Sequence, residues 1–332
     1  MRNARRLRTV AGDLGPYILG QRLGVGGMGV VYEAMCLKLG AHVAVKFLHP
    51  DRSNDERARR RFDDERIAGR VVAHPNVVAM LDTGTTDDGA PFLVMERVLG
   101  EPLGVRIARE GRMSPVRAVA IARQILAALA TIHDAGVVHA DVKSDNVLVA
   151  ARGDGTDVCK LIDFGLARVQ FATKSSNADG QDSRDQWLSG TPEYMAPEVI
   201  RGAGSSFSAD LYAVGIILYE MLTGSTPFAG GTAAEIVHRH LDDEAVPPSL
   251  RCPELELPST LDDLVLRALQ KAESERIHSA RAFDAALASV ELELARTTWD
   301  RDEVAIARRR APRCKRETPT LVCSHHKRLG RG

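Results

Sequence analysis

The chain has 332 residues, 44% hydrophobic and 27% charged, which is typical of a soluble globular protein with about two domains or lobes. Its net charge is zero, but residues 1–16 carry four arginines and one acid, and residues 296–332 carry eleven basic and four acidic residues, so the body between these basic ends is acidic. We expect no membrane span, because the longest apolar run, around Leu211–Leu222, is interrupted by Glu220 and is shorter than the roughly 20 residues that a bilayer requires.

The first part of the body, residues 17–98, predicts a small antiparallel sheet that carries one helix. Alternating and β-branched segments indicate strands, and a highly charged segment from Asp51 to Arg66 indicates the helix. The predicted strands are Tyr17–Leu23, Val30–Met35, His42–Leu48, Val77–Thr83 and Pro91–Val98.

Helical periodicity dominates residues 99–295. Pro115–Ala135 places Val119, Ala122, Ile125, Leu126 and Leu129 on one stripe, which predicts an amphipathic core helix. Further helices are predicted at Asp210–Leu222, Leu261–Leu269 and Ala280–Val290, and Ala172–Gln186 has the composition of a loop. The fold class is therefore α+β, with a small lobe at 17–98 and a larger, mainly helical lobe at 99–295.

The two ends of the chain differ from the body in composition. Residues 1–16 form a basic arm, and residues 296–332 have few large apolar side chains, so we expect this tail to be disordered. The arginines of the tail suit an acidic partner, although a solvated end is the simpler interpretation. Five cysteines without a paired framework, and an N-terminus without an apolar signal segment, favour a cytoplasmic location.

Five motifs follow one another along the body. They read G-V-G-G-M-G-V-V at Gly24–Val31, V-A-V-K ending at Lys46, H-A-D-V-K-S-D-N at His139–Asn146, D-F-G at Asp163–Gly165 and G-T-P-E-Y-M-A-P-E at Gly190–Glu198. Each motif alone is a weak signal, but their order and spacing together are specific. Over about residues 17–290, the chain resembles the bacterial Hanks-type (eukaryotic-like) serine/threonine protein kinases. The resemblance implies a bilobal kinase fold and a signalling enzyme that transfers the γ-phosphoryl group of ATP to hydroxyl groups of proteins. It also implies that the enzyme phosphorylates its own hydroxyl groups.

The glycine-rich motif by itself also fits dinucleotide-binding folds, because Gly24, Gly26 and Gly29 match G-x-G-x-x-G. In those folds the last glycine opens a helix, whereas here Val30 and Val31 favour a strand, which argues against a nicotinamide oxidoreductase. We therefore expect a hairpin over the phosphates of ATP. The resemblance implies an ATP site formed by Leu23, Gly24, Val25, Gly26, Gly27, Met28, Gly29, Val30, Val31, Ala44, Lys46, Glu65, Met95, Glu96, Val98 and Leu148.

Lys46 is placed to reach the α- and β-phosphates, and it needs a carboxylate to orient it. The charged helix offers several acids. Glu65 lies one turn from Phe62 on the face that also carries Ala68 and Val72, so we favour Glu65 over Asp63 and Asp64 as the partner.

The resemblance assigns the remaining roles to the two later motifs. Asp141 matches the catalytic base, and Lys143 matches the residue that neutralises the γ-phosphate and marks serine/threonine specificity. Asn146 and Asp163 match the metal ligands, whose oxygens suit Mg²⁺, with Mn²⁺ as an alternative. Three structural supports are also implied: Thr191 beside the catalytic residues, Glu198 paired with Arg276, and Asp210 holding the catalytic-loop backbone.

Two residues depart from the family's catalytic motif. Ser144 replaces the usual proline, and Ala140 replaces the usual arginine, which in the family receives a phosphate on the activation loop. Because alanine carries no charge to pair with a phosphate, Ala140 argues against phosphate-gated activation but not against the chemistry.

Two rivals share the kinase fold. A pseudokinase scaffold is disfavoured by the intact set Lys46, Glu65, Asp141, Asn146 and Asp163, and a small-molecule phosphotransferase is disfavoured by the Gly190–Glu198 segment, which docks peptide in the resembling kinases. The expected partners are protein substrates, with no requirement for nucleic acid.

Overall fold

The structure is a computed structural model that describes residues 14–26, 29–49, 55–87, 89–163, 168–169 and 192–310. The chain divides into two units, Met1–Leu294 and Ala295–Gly332. Several expectations fall outside the described residues: the N-terminal arm up to residue 13, the loop Ala172–Gln186, and the end of the tail after Arg310.

The small lobe is a five-stranded antiparallel sheet with the order β1-β2-β3-β5-β4. One helix, α1 (Glu56–Val71), lies between β3 and β4 in the sequence, as predicted. The strands are β1 (Tyr17–Val25), β2 (Gly29–Cys36), β3 (Ala41–Leu48), β4 (Met80–Thr85) and β5 (Pro91–Glu96).

Two elements in this lobe begin three or more residues later than the sequence predicts. Helix α1 begins at Glu56 rather than near Asp51. Strand β4 begins at Met80 rather than at Val77, because Val77 forms an isolated parallel bridge to Leu161 in the larger lobe. Val77 therefore serves as a link between the lobes, a contact that local sequence pattern cannot reveal.

The larger lobe has a helical core with short strands at its edge. Helix α3 (Pro115–Asp134) begins after Ser114, whose hydroxyl accepts a hydrogen bond from Arg117 N. Helix α5 (Phe207–Thr223) is followed by Gly224, whose φ of 81° is the left-handed conformation that glycine adopts readily. The helices are α2 (Leu103–Glu110), α3 (Pro115–Asp134), α4 (Pro197–Ile200), α5 (Phe207–Thr223), α6 (Ala233–Asp242), α7 (Pro248–Arg251), α8 (Ser259–Ala268) and α9 (Ala280–Arg310). The strands are β6 (Glu101–Pro102), β7 (Val137–Val138), β8 (Val147–Ala151), β9 (Asp157–Leu161) and β10 (Arg168–Val169).

Helix α3 forms the centre of the larger lobe together with α5. The five residues of its predicted stripe are fully buried, but so are Ile121, Ala128 and Ile132 on other faces, so α3 is covered on more than one side. Among the described residues, α3 is also the one helix long and apolar enough to cross a membrane by length and composition. Its ten buried side chains belong to the lobe's core, as a central helix of a globular domain requires.

The last helix of the chain is longer than the sequence predicts. Helix α9 was predicted to end near Val290, but it continues to Arg310. The segment after Val290 contains alanine, arginine and glutamate and no proline or glycine before Pro312, so local helix propensity permits the extension.

Candidate active site

Asp210 of the buried helix α5 holds the loop between β7 and β8 by hydrogen bonds. Asp210 Oδ2 accepts hydrogen bonds from His139 N at 3.0 Å and lies 2.9 Å from His133 Nε2, and Asp210 Oδ1 accepts from Ala140 N at 2.9 Å. Ala140 has a φ of 63°, a left-handed conformation that is uncommon for alanine. The expected bonds from Asp210 to the loop are thus formed, and they hold the backbone in this conformation just before Asp141.

Asp141, Lys143 and Asn146 converge within this loop. Lys143 Nζ lies 2.9 Å from both carboxylate oxygens of Asp141, and Asn146 Nδ2 donates to the carbonyl and to Oδ2 of Asp141 at 2.8 Å each. The Asp141 and Lys143 side chains are 27% and 20% exposed, so a substrate can reach the carboxylate. Because Asn146 uses its amide nitrogen on Asp141, its amide oxygen is left as the atom for a cation.

The second part of the site is a buried ion cluster between the lobes. Lys46 Nζ on β3 lies 2.8 Å from both carboxylate oxygens of Glu65 on α1, and it also contacts Asp163 Oδ1. Phe62 and Ala68 of α1 and Val72 directly after it are buried, whereas the Asp63 side chain is 61% exposed and pairs with Arg66. The helix register that favours Glu65 over its acidic neighbours is therefore the one in the structure.

Burial and charge act in opposite directions on these three groups. Burial lowers the pKa of Lys46, but the negative charges of Glu65 and Asp163 outweigh burial and raise it, so the ammonium stays charged. Burial raises the pKa of Glu65 to about 7 against the lowering effect of Lys46. Burial also raises the pKa of Asp163, but the charge of Lys46 overcomes it and leaves that pKa below its ordinary value. The charge of Lys46 thus favours the ionised form of Asp163.

The β1–β2 hairpin leaves open space above its first glycines. A Cβ placed on Gly24 would meet no atom within 4 Å, and one on Gly26 would meet only Gly29 O at 4.0 Å. A Cβ on Gly29 would lie 2.0 Å from Phe47 O, so Gly29 is required for the close approach of β2 to β3. None of these three glycines has a positive φ, so unusual backbone conformation does not explain them, and only Gly29 is required for a steric reason.

Apolar side chains meet beside Lys46 in one cluster. Ala44 and Met95 are buried there, with Leu23, Val31 and Val98 packed against them. Two further members, Val78 and Ile162, were missed by the sequence analysis. Ile162 could have been found because it directly precedes Asp163, but Val78 is identified only by the cross-lobe contact of its neighbour Val77.

Four further residues of the expected ATP site lie on β1, β2, β5 and β8. Val25 and Val30 pair with each other across the hairpin, and Glu96 accepts hydrogen bonds from Lys160 Nζ at 2.6 Å and Ala79 N at 2.8 Å. Leu148 lies on β8, paired with Pro102 and outside the apolar cluster. Gly27, Met28 and Thr191 lie outside the described residues.

The expected support of the Gly190–Glu198 segment is also formed. Arg276 donates to Glu198 Oε1 at 2.7 Å and to Glu198 Oε2 at 2.6 Å, and both residues are buried. This bidentate pair fixes the start of α4, directly after the segment's Pro192–Tyr194 turn.

Comparisons with known proteins agree with this arrangement. The protein kinase domain family model matches residues 17–287. The serine/threonine-protein kinase pkn3 of Myxococcus xanthus is 40% identical over 82% of the chain, and the serine/threonine-protein kinase PknB of Mycobacterium tuberculosis is 36% identical over 82%. A probable serine/threonine-protein kinase of Clostridium perfringens is 36% identical over 80% of the chain.

The matched part corresponds to less than the full length of these relatives. The chain covers 49% of the Myxococcus protein, 42% of the Mycobacterium protein and 37% of the Clostridium protein.

Proposed function

The chain belongs to the protein kinase domain family, and we propose that it is a serine/threonine protein kinase that phosphorylates proteins, including itself, with ATP. The observation that carries this proposal is the buried contact of Lys46 with both Glu65 and Asp163, next to the loop of Asp141 and Asn146. These groups come from β3, α1 and the two ends of the β8–β9 hairpin, and a purely structural role would not require them to meet.

We assign the nucleotide to the cleft lined by the hairpin and the apolar cluster. The cluster of Ala44, Met95, Leu23, Val31 and Val98 suits an adenine ring, and the open space above Gly24 and Gly26 suits phosphates. Lys46, oriented by Glu65, would then contact the α- and β-phosphates.

Asn146 and Asp163 are the proposed holders of a divalent cation, Mg²⁺ or Mn²⁺, which would offset charge on the phosphates when bound. An amide oxygen and an ionised carboxylate are ligands that such cations prefer, with phosphate oxygens and water completing the shell. Within the described residues, no group of three or more His, Cys, Asp or Glu side chains forms a metal site. Binding of the cation would therefore depend on the nucleotide.

Asp141 is the proposed base. The oxygen of a serine or threonine hydroxyl forms a bond to the γ-phosphorus, the bond from that phosphorus to the bridging oxygen of ADP breaks, and Asp141 receives the hydroxyl proton. Lys143, 2.9 Å from both oxygens of Asp141, places a positive charge where charge on the transferred group develops.

The test is transfer of radiolabelled phosphate from ATP to a protein substrate and to the chain itself. We expect Asp141→Asn to bind ATP with little change and to lose most turnover, and Lys46→Met to lose activity while remaining folded. Asp63→Asn, which alters an exposed acid of α1, is the control and should keep the wild-type rate.

The same assay separates the two alternatives. A wild-type chain no more active than Lys46→Met would indicate a pseudokinase scaffold. Transfer to small molecules but not to proteins would indicate a small-molecule phosphotransferase.

We also propose that the chain contains a kinase unit of two lobes, residues 17–98 and 99–295, followed by a basic C-terminal segment that binds an acidic partner. We also propose a cytoplasmic location, which is consistent with the free thiols of Cys36, Cys159 and Cys252. A chain ending near Arg296 should keep its peptide-kinase rate, and a large change would indicate a docking or inhibitory role of the removed segment.

A further inference from the structure

Ser144 stands in the catalytic loop where the resembling kinases usually have proline, and its hydroxyl makes contacts that proline cannot make. The side chain is buried, and the residue opens the short 3₁₀ helix Ser144–Asn146. Its Oγ lies 2.8 Å from the hydroxyl of Tyr194 and 3.4 Å from Glu220 Oε1. Ser144 thus connects the loop of Asp141 to two other elements.

The three side chains form a directed chain of hydrogen bonds. Tyr194 OH donates to Glu220 Oε2 at 2.7 Å, and a phenol has only one proton to donate. Ser144 is therefore the donor to the Tyr194 oxygen, and its one proton is shared with the longer contact to Glu220 Oε1 at 3.4 Å. Burial raises the pKa of Tyr194, so the phenol keeps its proton over the physiological range. Each bond in such a chain polarises the next, which strengthens the whole.

The chain joins three parts of the proposed active site. Ser144 directly follows Lys143 and lies two residues before Asn146, whose backbone N donates to Lys143 O at 3.0 Å. Tyr194 closes the turn Pro192–Tyr194 in the segment that docks peptide in the resembling kinases. Glu220 belongs to α5, the same buried helix that holds the loop through Asp210.

Helix α2 leaves room for the Ser144 hydroxyl. A Cβ added to Gly104 would lie 2.8 Å from Ser144 Oγ and 3.0 Å from Asp145 Oδ1. A side chain larger than that of glycine at position 104 would therefore displace the Ser144 hydroxyl or Asp145.

We propose that Ser144 is a positioning residue, which holds the peptide-docking segment at Tyr194 in register with the base Asp141. This inference rests on the proposed kinase function. Loss of the hydroxyl would loosen the turn at Tyr194 relative to the loop, while the nucleotide contacts on β3 and α1 would stay in place. The expected defect is therefore in the use of peptide, not in the binding of ATP.

The kinetic test compares Ser144→Ala with the wild-type full-length chain on a peptide substrate. We expect kcat/KM for the peptide to fall about three- to tenfold, the range for one neutral hydrogen bond, with the Kd for ATP unchanged. Ser249→Ala is the matched control, because the Ser249 hydroxyl also bonds a carboxylate, Asp262, but on α7 and α8. It should lower thermal stability without changing kcat/KM.

Two double variants test whether Ser144 acts through its contact with Tyr194 and whether its hydroxyl needs the space beside Gly104. In a Tyr194→Phe background, Ser144→Ala should have no further effect, because its acceptor is already lost. Gly104→Ala should lower kcat/KM in the wild-type background but not in Ser144→Ala, where the displaced oxygen is absent. Full additivity in both pairs would overturn the inference.

Amide hydrogen exchange provides a readout that needs no turnover. We expect faster exchange over residues 192–200 in Ser144→Ala than in wild type and in Ser249→Ala. If the wild-type chain transfers no more phosphate than Lys46→Met, the proposed function fails and exchange alone decides this inference. Unchanged exchange over residues 192–200 would then overturn it, as would an unchanged kcat/KM in an active enzyme.

Discussion

Replacing Arg276 by methionine should destabilise the protein strongly, because the guanidinium satisfies a buried carboxylate and several backbone carbonyls together. Besides its two bonds to Glu198, Arg276 donates to Gln270 O at 2.7 Å and to Lys271 O at 3.1 Å, and its guanidinium lies 4.9 Å from the centre of the Tyr212 ring. Arg276→Met fills similar space but leaves Glu198 buried without a cation. Breaking a buried pair in this way costs about 3–5 kcal/mol, against a total stability of about 5–15 kcal/mol.

The measurement is urea unfolding followed by circular dichroism. Arg60→Met is the control, because Arg60 pairs with Glu56 on the surface of α1, where both side chains are more than three-quarters exposed, at 76% and 78%. It should change stability by at most about 0.5 kcal/mol.

A double variant, Arg276→Met with Glu198→Met, removes both charges and should be more stable than Arg276→Met alone, because no buried charge is left unpaired. The reasoning is refuted if Arg276→Met shifts the unfolding midpoint no more than Arg60→Met, or if the double variant is the less stable of the two.

Further predictions concern pH, buried hydroxyls, the hairpin and the activation segment. Burial, and then the charge of Lys271, lowers the pKa of His240 to about 3 from its usual 6.5. As the pH falls, the unfolded state therefore binds the proton before the folded state does. The stability that depends on His240 being neutral is complete above pH 6.5 and is lost as the pH falls below it. By pH 5 the loss is about 2 kcal/mol, and unfolding midpoints of His240→Gln should lack this part of the pH dependence. Tyr219→Phe should be neutral or stabilising in thermal unfolding, because the Tyr219 hydroxyl is buried without a hydrogen-bond partner among the described residues. Tyr212→Phe should instead lose about 1 kcal/mol, since its hydroxyl lies 2.8 Å from His240 Nδ1; equal effects would contradict both expectations. Gly29→Ala should weaken folding and ATP binding, whereas Gly24→Ala, with open space around it, should unfold at the wild-type urea concentration. Ala140 cannot pair with a phosphate on the activation loop. Replacing five serine and threonine residues of that loop by alanine should therefore leave the initial rate of peptide phosphorylation within a few-fold of wild type. A collapse of that rate would show that another basic residue pairs with the phosphate. The five positions are Thr173, Ser175, Ser176, Ser183 and Ser189.

Local sequence pattern was sufficient to predict most of the elements. Alternation of side chains predicted the strands of the small lobe, and the 3.6-residue period predicted the buried stripe of α3, because both patterns record which face an element buries. The same period identified Glu65 rather than Asp63 as the inward acid of α1, since only one register places it beside Phe62 and Ala68.

Boundaries were less predictable where a distant segment decides them. Strand β4 starts late because the neighbours of Val77, Asn76 and Val78, hydrogen-bond to Leu161, and the sequence around Val77 contains no sign of that partner. Helix α9 extends past Val290, where the predicted helix ended, to Arg310. Composition measures the capacity to form a core, whereas a helix also forms wherever its local propensity is not interrupted.

In the candidate site, too, the sequence predicted residues and the tertiary structure showed their contacts. Motif spelling alone indicated Lys46, Asp141, Asn146 and Asp163, because the chemistry of phosphate and metal binding restricts the residue types. Only the tertiary structure showed that Lys46 contacts Asp163 as well as Glu65, or that Ser144 reaches Tyr194 and Glu220. These contacts join residues between 19 and 117 positions apart, so they depend on how separate elements pack and not on any local pattern. The sequence by itself determined which groups are present. The packing of α1 against β3 and of the larger lobe on α5 decided which of them meet.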